Sequence, residues 1–293
     1  MKKLLFQLDT DPAPASFDVV VAYDSGVDHV IPYAAMTPEK AGSLVEGVIF
    51  TRAPNQKRYT ALFIGGSDVA AGQELLAAIR GKFFGRFRVS AMLDSNGCNT
   101  TAAAAVANLA NGRLLRGKKA VVLAGTGPVG QRAALMLAKE GAEVTITSRH
   151  LDKAEQACGE LEQLAGLPFH ACEARDSASR AQAITSAQIV LACGASGISL
   201  LNSDDWQQHA TIELLLDANA TPPQGIGGID VKDRGTIRFG KMTWGALGFG
   251  PLKLKLQRAC IARLFEQNDL ILDADEIYST AKQMASAGMS DHV

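Results

Sequence analysis

The stretch Lys118-Lys119-Ala120-Val121-Val122-Leu123-Ala124-Gly125-Thr126-Gly127-Pro128-Val129-Gly130 decides how this chain is read. Ala120–Ala124 is short and apolar, Pro128–Lys139 has helical spacing, and Glu143–Thr147 is β-branched again. Together they predict a β-α-β unit with a glycine-rich first turn. In such a turn the first glycine makes the bend and the second lets the backbone approach a pyrophosphate. The third lets the helix pack on the strand, and the helix N-terminus stabilises the negative charge. A lone GxGxxG is weak, because glycine is common and the pattern is short. Here strand, loop, helix and second strand stand in register, so Gly125, Thr126, Gly127, Pro128, Val129 and Gly130 are candidate cofactor contacts.

The tip of the second strand chooses between NAD and NADP. An NAD site normally places Asp or Glu there, roughly 20 residues past the loop, to accept from the ribose hydroxyls. This chain reads Thr147-Ser148-Arg149-His150, followed by Lys153, with Asp152 only in the next helix's first turn. A 2′-phosphate is a dianion, which a planar guanidinium can clamp while stacking on the adenine. Solvated charges at a helix start are the plainer alternative. Yet positive charge there opposes the helix dipole, so a compensating anion is expected. The residues therefore favour NADP, held by Ser148, Arg149 and Lys153. Two further strand ends are candidate cofactor walls, Cys193-Gly194-Ala195-Ser196-Gly197 and Asp217-Ala218-Asn219-Ala220-Thr221-Pro222-Pro223. Cys193, Gly194 and Ala195 would lie near the nicotinamide ribose, and Asn219 could reach the nicotinamide amide. Both segments fit equally well as ordinary strand-end turns.

Working outward, apolar runs alternate with helical patterns along most of the chain, which argues for α/β architecture with parallel sheets. Strands are expected at Leu4–Leu8, His29–Tyr33, Thr60–Ile64 and Val89–Leu93, and helices near Ser16–Tyr23, Pro38–Gly47 and Asp68–Lys82. Thr37 is a candidate N-cap, with Pro38 in the first turn. A helix at Asn99–Leu109 carries four consecutive alanines and precedes a polar crossing from Asn111 to Lys119. Later strands are expected at Phe169–Cys172, Ile189–Cys193 and Ile212–Asp217. Asn219 to Phe249 is rich in Gly and Pro and reads as irregular. Leu252–Gln267 and Ala274–Ala287 read as closing helices. The expected fold is two-lobed α/β: a Rossmann NADP-binding domain at 113–251, and a smaller α/β substrate domain at 1–112 completed by C-terminal helices at 252–293.

With 29 Lys and Arg against 30 acids among 293 residues, nothing marks a nucleic-acid or anionic-membrane partner. Apolar residues at 47% and charged residues at 20% suit a globular protein, and no apolar run reaches the roughly 18 residues of a membrane span. The opening Met1–Asp9 has a basic end, but Asp9 stops its apolar run, so it reads as a first strand rather than a signal peptide. The five cysteines are scattered without a CxxC pair, as reduced thiols of a cytoplasmic protein without a metal site would be.

Hydride transfer asks little of a protein beyond holding donor and acceptor together and stabilising charge. No nucleophile–base pair is visible, and the five histidines form no constellation. Polar candidates for a substrate site are Asp18, near the N-terminus, and Asp94, Asn96 and Thr100 within Asp94-Ser95-Asn96-Gly97-Cys98-Asn99-Thr100-Thr101. Capping alone explains half of that segment. Leu252-Lys253-Leu254-Lys255-Leu256 opens the closing helix after a glycine-rich approach. Its two lysines oppose the helix dipole and hint at an anion or polar ligand, although solvated lysines alternating with core leucines fit as well.

Several of these segments, taken together, resemble the NADP-dependent methylenetetrahydromethanopterin dehydrogenases of methylotrophic bacteria. They are the Lys118–Gly130 run, Asp94-Ser95-Asn96-Gly97, Pro222-Pro223-Gln224-Gly225-Ile226-Gly227-Gly228-Ile229-Asp230, and Leu252–Leu256 with Arg258-Ala259-Cys260-Ile261-Ala262. The resemblance spans essentially the whole chain. It implies reversible oxidation of the methylene bridge of a reduced pterin to a methenyl cation, with methylenetetrahydrofolate accepted by some members. It also implies a fold similar to folate dehydrogenase–cyclohydrolases, a substrate lobe and a Rossmann lobe facing across a cleft, and a trimer-based homo-oligomer. On the same resemblance, Lys253 matches a cleft lysine favoured as the functional group, and NADP contacts fall on Thr126 to Val129 and on Ser148, Arg149 and Lys153; Lys255 and the polar candidates above remain substrate candidates on their own residues. The loop Arg52-Ala53-Pro54-Asn55-Gln56-Lys57-Arg58 departs from the family pattern, which leaves the pterin preference open. Two other readings stand beside this one. One is an NADP oxidoreductase of the shikimate-dehydrogenase type, which would want a Lys/Asp pair such as Lys82 with Asp94; the other is an NADP-sensing module without turnover.

Overall fold

The computed structural model describes residues 1–290. In chain order, the first elements are β1 (Leu4–Asp9), α1 (Ser16–Asp24), β2 (His29–Tyr33), α2 (Pro38–Thr51), β3 (Thr60–Gly65), α3 (Val69–Gly81) and β4 (Ser90–Leu93). Helix α4 (Cys98–Ala110) leads to β5 (Lys119–Leu123), α5 (Pro128–Lys139), β6 (Glu143–Ser148), α6 (Leu151–Ala165), β7 (Phe169–Glu173), α7 (Ser177–Ala183) and β8 (Ile189–Ala192). Then come α8 (Asp204–Gln207), β9 (Leu214–Asp217), β10 (Arg234–Arg238), β11 (Lys241–Trp244), α9 (Ala246–Arg263), β12 (Ile271–Leu272) and α10 (Ala274–Ser290).

The chain divides into two compact units, residues 1–100 with 254–281, and 101–253 with the end of α10 from Lys282. The first unit holds a five-stranded, all-parallel sheet in the order β12-β4-β3-β1-β2. Its central strand β3 is buried along its full length, as expected of a parallel strand covered on both faces. Leu8, Val45, Ile49, Leu62, Ile64, Leu75, Ile79 and Leu93 make its core. The helix signals work as physics requires: the Thr37 side chain accepts from the Lys40 amide at 3.4 Å, and Asp68 accepts from the Ala71 amide at 3.1 Å. The divergent loop Arg52–Arg58 is structural, because Lys57 is fully buried within it. Its ammonium donates to the carbonyls of Ile49 and of Arg52, closing the C-terminal end of α2, and lies 4.9 Å from the centre of the Phe87 ring.

The second unit holds a seven-stranded sheet in the order β10-β11-β9-β8-β5-β6-β7. From β7 to β11 the strands are parallel, and their order is that of a doubly wound dinucleotide-binding sheet; β10 is antiparallel to β11. Val121, Leu123, Val190, Trp206, Leu215 and Ile226 anchor the core on one side. The structure corrects two expectations here. The stretch from Asn219 to Phe249 is not irregular throughout, since it contains the β10–β11 hairpin and the start of α9. That helix begins at Ala246, not Leu252, because the amides of Leu247 and Gly248 donate to the Val231 carbonyl at 2.8 and 3.1 Å. Gly248 permits the approach: a Cβ there would overlap the Asp233 carbonyl.

Candidate functional site

Strand β5 stands where the chain reverses its winding, with β6 on one side and β8 on the other. The loops leaving β5 and β8 therefore flank the crevice in which such sheets bind ligands, outside the carboxyl ends of the strands. The glycine loop is tied to the tip of β6. The Gly125 amide donates to the Thr147 carbonyl at 3.0 Å, and the Ala124 amide to Thr147 Oγ1 at 3.1 Å. Ala124 adopts a left-handed φ of 51°, and Gln131 donates to the Thr126 carbonyl at 2.9 Å.

The three glycines are needed for different reasons. A Cβ at Gly125 would stand 2.8 Å from the Val122 carbonyl oxygen, and one at Gly130 would stand 2.6 Å from Gly125 Cα. Both are close backbone approaches that only glycine allows. A Cβ at Gly127, the residue before the first turn of α5, would meet no protein atom within 4 Å. The backbone there is open to a ligand, and with Pro128 and Val129 it presents a helix N-terminus that suits a pyrophosphate.

At the β6 tip, Thr147 and Ser148 are buried, while Arg149 and Lys153 are exposed. Ser148 Oγ accepts from the His150 amide at 3.3 Å. Among the described residues, no hydrogen bond or ion pair engages the Arg149 guanidinium. An acid of the protein ends the neighbouring strand. Glu173, paired in register with Ser148, accepts from the Leu151 amide at 3.3 Å at the start of α6 and from Arg175 at 2.8 Å. The Arg175 hydrogen bond leads in holding the Glu173 carboxyl below its usual range. Nothing in the local pattern ties this pair to the strand tip. Its signal was an acid ending the next strand, two residues before an arginine.

Beyond β8, Cys193 is half-buried, and burial assisted by the Asp217 carboxylate pushes its thiol up to about 12. Gly194 packs against Leu200, whose side chain a Cβ would meet at 3.0 Å. Ala195 belongs to the turn that follows, its carbonyl accepting from the Ile198 amide at 3.2 Å. Asn219 is buried with its amide engaged in its own loop, accepting from the Thr221 amide at 3.0 Å and donating to the Pro223 carbonyl at 3.1 Å. Its organiser is Asp217, which the sequence reading did not single out. That carboxylate accepts from the amides of Asn219 and Ile226, each at 3.0 Å, and burial raises its pKa.

The polar candidates of the first unit lie mostly at the carboxyl end of its sheet. Asp94 is fully buried, accepting from the Thr100 amide at 3.0 Å and from Thr100 Oγ1 at 2.6 Å. Asn96 is exposed at a left-handed φ of 54°, its amide donating to the Gly66 carbonyl at 2.6 Å. Asp18 accepts from buried Gln257 at 2.8 Å. On α9, Lys253 is half-buried and Lys255 exposed. Lys82 pairs with Glu46 at 3.0 Å on the surface of the first unit, so it does not form the Lys/Asp pair expected of a shikimate-type site.

Residues 16–96 match the model of the family described as methylene-tetrahydromethanopterin dehydrogenase, N-terminal. A protein of Methylorubrum extorquens named "Bifunctional protein MdtA" is 54% identical over 97% of this chain and 99% of its own length. A second protein of that organism, an NAD(P)-dependent methylenetetrahydromethanopterin dehydrogenase, is 31% identical over 92% of this chain and 94% of its own. The chain belongs to the methylenetetrahydromethanopterin dehydrogenase family.

The fold of this family member is also found in solved structures of low identity. A chorismate mutase/shikimate 5-dehydrogenase fusion from Clostridium acetobutylicum aligns with a TM-score of 0.54 at 12% identity, covering 97% of this chain and 99% of that one. A shikimate 5-dehydrogenase from Listeria monocytogenes aligns at 0.52 and 14% identity, covering 95% and 96%. Among the described residues no cluster of His, Cys, Asp and Glu could hold a metal ion, and no helix is long and apolar enough to cross a membrane.

Proposed function

We propose that this protein is a cytoplasmic NADP-dependent dehydrogenase that oxidises the methylene bridge of methylenetetrahydromethanopterin, and that methylenetetrahydrofolate is a second substrate. One C–H bond of the bridging carbon breaks with its electron pair, which leaves a methenyl cation, and the nicotinamide takes the hydride. No proton changes hands, so the protein needs no base; it must bind, orient and exclude water. Family membership with a relative of that named activity supports the substrate. The observation that carries the cofactor is the open backbone at Gly127 beside the basic tip of β6. Gly125 to Gly130 would hold the pyrophosphate, Ser148, Arg149 and Lys153 the 2′-phosphate, and the Cys193–Ala195 turn and Asn219 would wall the nicotinamide end.

In this reading residues 113–251 are the nucleotide domain, and residues 1–112 with the C-terminal helices bind the pterin through Asp18, Asp94, Asn96, Thr100 and Lys255. Lys253 is the functional cation. It polarises the pterin or its surroundings and need not accept a proton. The working form is a trimer-based homo-oligomer. The test is NADPH absorbance with both carriers and both nucleotides. Turnover with methylenetetrahydromethanopterin and NADP is expected, without cyclohydrolysis of the methenyl product. No NADPH from either carrier overturns the proposal, and tight NADP binding with no turnover would instead identify a sensing module.

A further inference from the structure

Glu173 poses a problem for any 2′-phosphate at the β6 tip. Its backbone is in register with Ser148, and its carboxylate accepts from the Leu151 amide at the start of α6, two residues after Arg149. An unpaired carboxylate there would repel a phosphate dianion and suit a ribose hydroxyl, as the acid of an NAD site does. Arg175 meets it at 2.8 Å, and the arginine is held in turn, because Arg180 donates to the Arg175 carbonyl at 3.2 Å. Asp176 then opens α7 with a reciprocal cap to Ser179, which fixes the segment from its other side. The pair is therefore built into the β7–α7 turn, on a backbone anchored at both ends.

We propose that Arg175 is a positioning residue for nucleotide choice: by pairing with Glu173 it keeps the β6 tip positive and so admits NADP. This rests on the reading that the adenosine end of NADP lies at Ser148 and Arg149. In that arrangement Arg149 meets the phosphate, while Arg175 acts through Glu173. The pair works through charge, so its effect must differ between NADP and NAD and must fade with salt.

The test is calorimetric titration of NADP and NAD into the full-length protein, comparing Arg175→Gln, Arg175→Lys and the double variant Arg175→Gln/Glu173→Gln with the parent. All keep an oxygen at residue 173 for the Leu151 amide. Arg175→Gln should raise the Kd of NADP by about 3- to 10-fold and that of NAD by less than about twofold, the size of one exposed like-charge interaction in low salt. Raising salt from about 0.05 M to about 0.5 M should shrink that gap. Arg175→Lys and the double variant should bind NADP within about twofold of the parent, as Coulombic compensation requires. Equal weakening of both nucleotides, no weakening at all, or a double variant as weak as the single one overturns the inference. Arg149→Glu separates the two levels. If it leaves the NADP/NAD ratio unchanged, the site reading falls and the inference with it. If it collapses the ratio while Arg175→Gln does not, only the inference falls.

Discussion

Alanine at Gly127 and alanine at Gly130 should have different signatures, although only two residues separate them. At Gly130 the added Cβ would lie 2.6 Å from both Gly125 Cα and the Gly125 carbonyl oxygen. Comfortable carbon contacts are about 3.5–4.0 Å, so the overlap is about 1 Å. Gly125 has little room to yield, because its own Cβ position is 2.8 Å from the Val122 carbonyl oxygen. Overpacking of this kind costs about 1–3 kcal/mol. At about 2–4 °C per kcal/mol for a domain of this unit's size, Tm should fall by about 2–12 °C, and nucleotide binding should fall with it. Gly127 has an ordinary φ of −78° and nothing within 4 Å of a built Cβ. Alanine there should leave Tm close to the parent's, because restricting the unfolded chain by about 0.4–1 kcal/mol is offset by the poorer fit of alanine at the N-cap of α5, a cost of about 1 kcal/mol. It should nevertheless weaken NADP at least about tenfold, because the methyl group keeps the backbone from closing on the pyrophosphate and one charge-assisted hydrogen bond is worth about 1.5–3 kcal/mol. Thermal unfolding followed by circular dichroism, with calorimetric titration of NADP, reads both quantities. A Gly127→Ala protein that binds NADP within twofold of the parent refutes the placement of the pyrophosphate. A Gly130→Ala protein that melts with the parent refutes the close approach.

Arg149→Glu should raise the KM for NADP by about tenfold or more while NAD changes little, as loss of a charge-assisted contact predicts; equal losses in a two-nucleotide assay contradict the 2′-phosphate site. Lys253→Ala should lower turnover with the fold retained, and full turnover would remove the role given to that lysine. Asp217→Asn should lower Tm by a few degrees at neutral pH, because an amide oxygen serves only one of two buried amides and an unmet donor costs about 1–3 kcal/mol. The sign with pH follows from burial. A carboxyl raised in the folded state binds its proton there at pH values where the unfolded chain has released it, so its contribution to stability falls as pH rises from the ordinary carboxylate value through the raised one. Melting curves of Asp217→Asn should lack that slope. Cys260, fully buried with its thiol pushed up to about 12, should react with iodoacetamide at pH 8 more slowly than half-buried Cys193 in the native protein; labelling of Cys260 as prompt as that of Cys193, followed by mass spectrometry, would contradict its burial.

What the sequence determined by itself was whatever local pattern specifies. The strand, glycine loop and helix from Lys119 to Lys139 are where periodicity places them, because Gly125 and Gly130 each answer a close backbone approach within five residues of themselves. Thr37 and Asp68 cap their helices for the same local reason. The basic tip at Arg149 was legible because a strand end positions it directly. Tertiary structure decided the rest through partners distant in sequence. The β10–β11 hairpin lies in a glycine-rich stretch with little pattern of its own, and β11 is fixed by parallel pairing with β9. The start of α9 depends on the Val231 carbonyl, and the burial of Lys57 depends on the closing end of α2 and on Phe87. The sequence leaves Asn219 equally open to a nicotinamide contact and to a strand-end turn, and only the fold brings Thr221 and Pro223 to its side-chain amide. The Glu173–Arg175 pair matters at the β6 tip only because β7 lies in register beside it. Hydrogen bonds and charges act across space, and the linear chain carries no signal for a neighbour that folding alone brings within 3 Å.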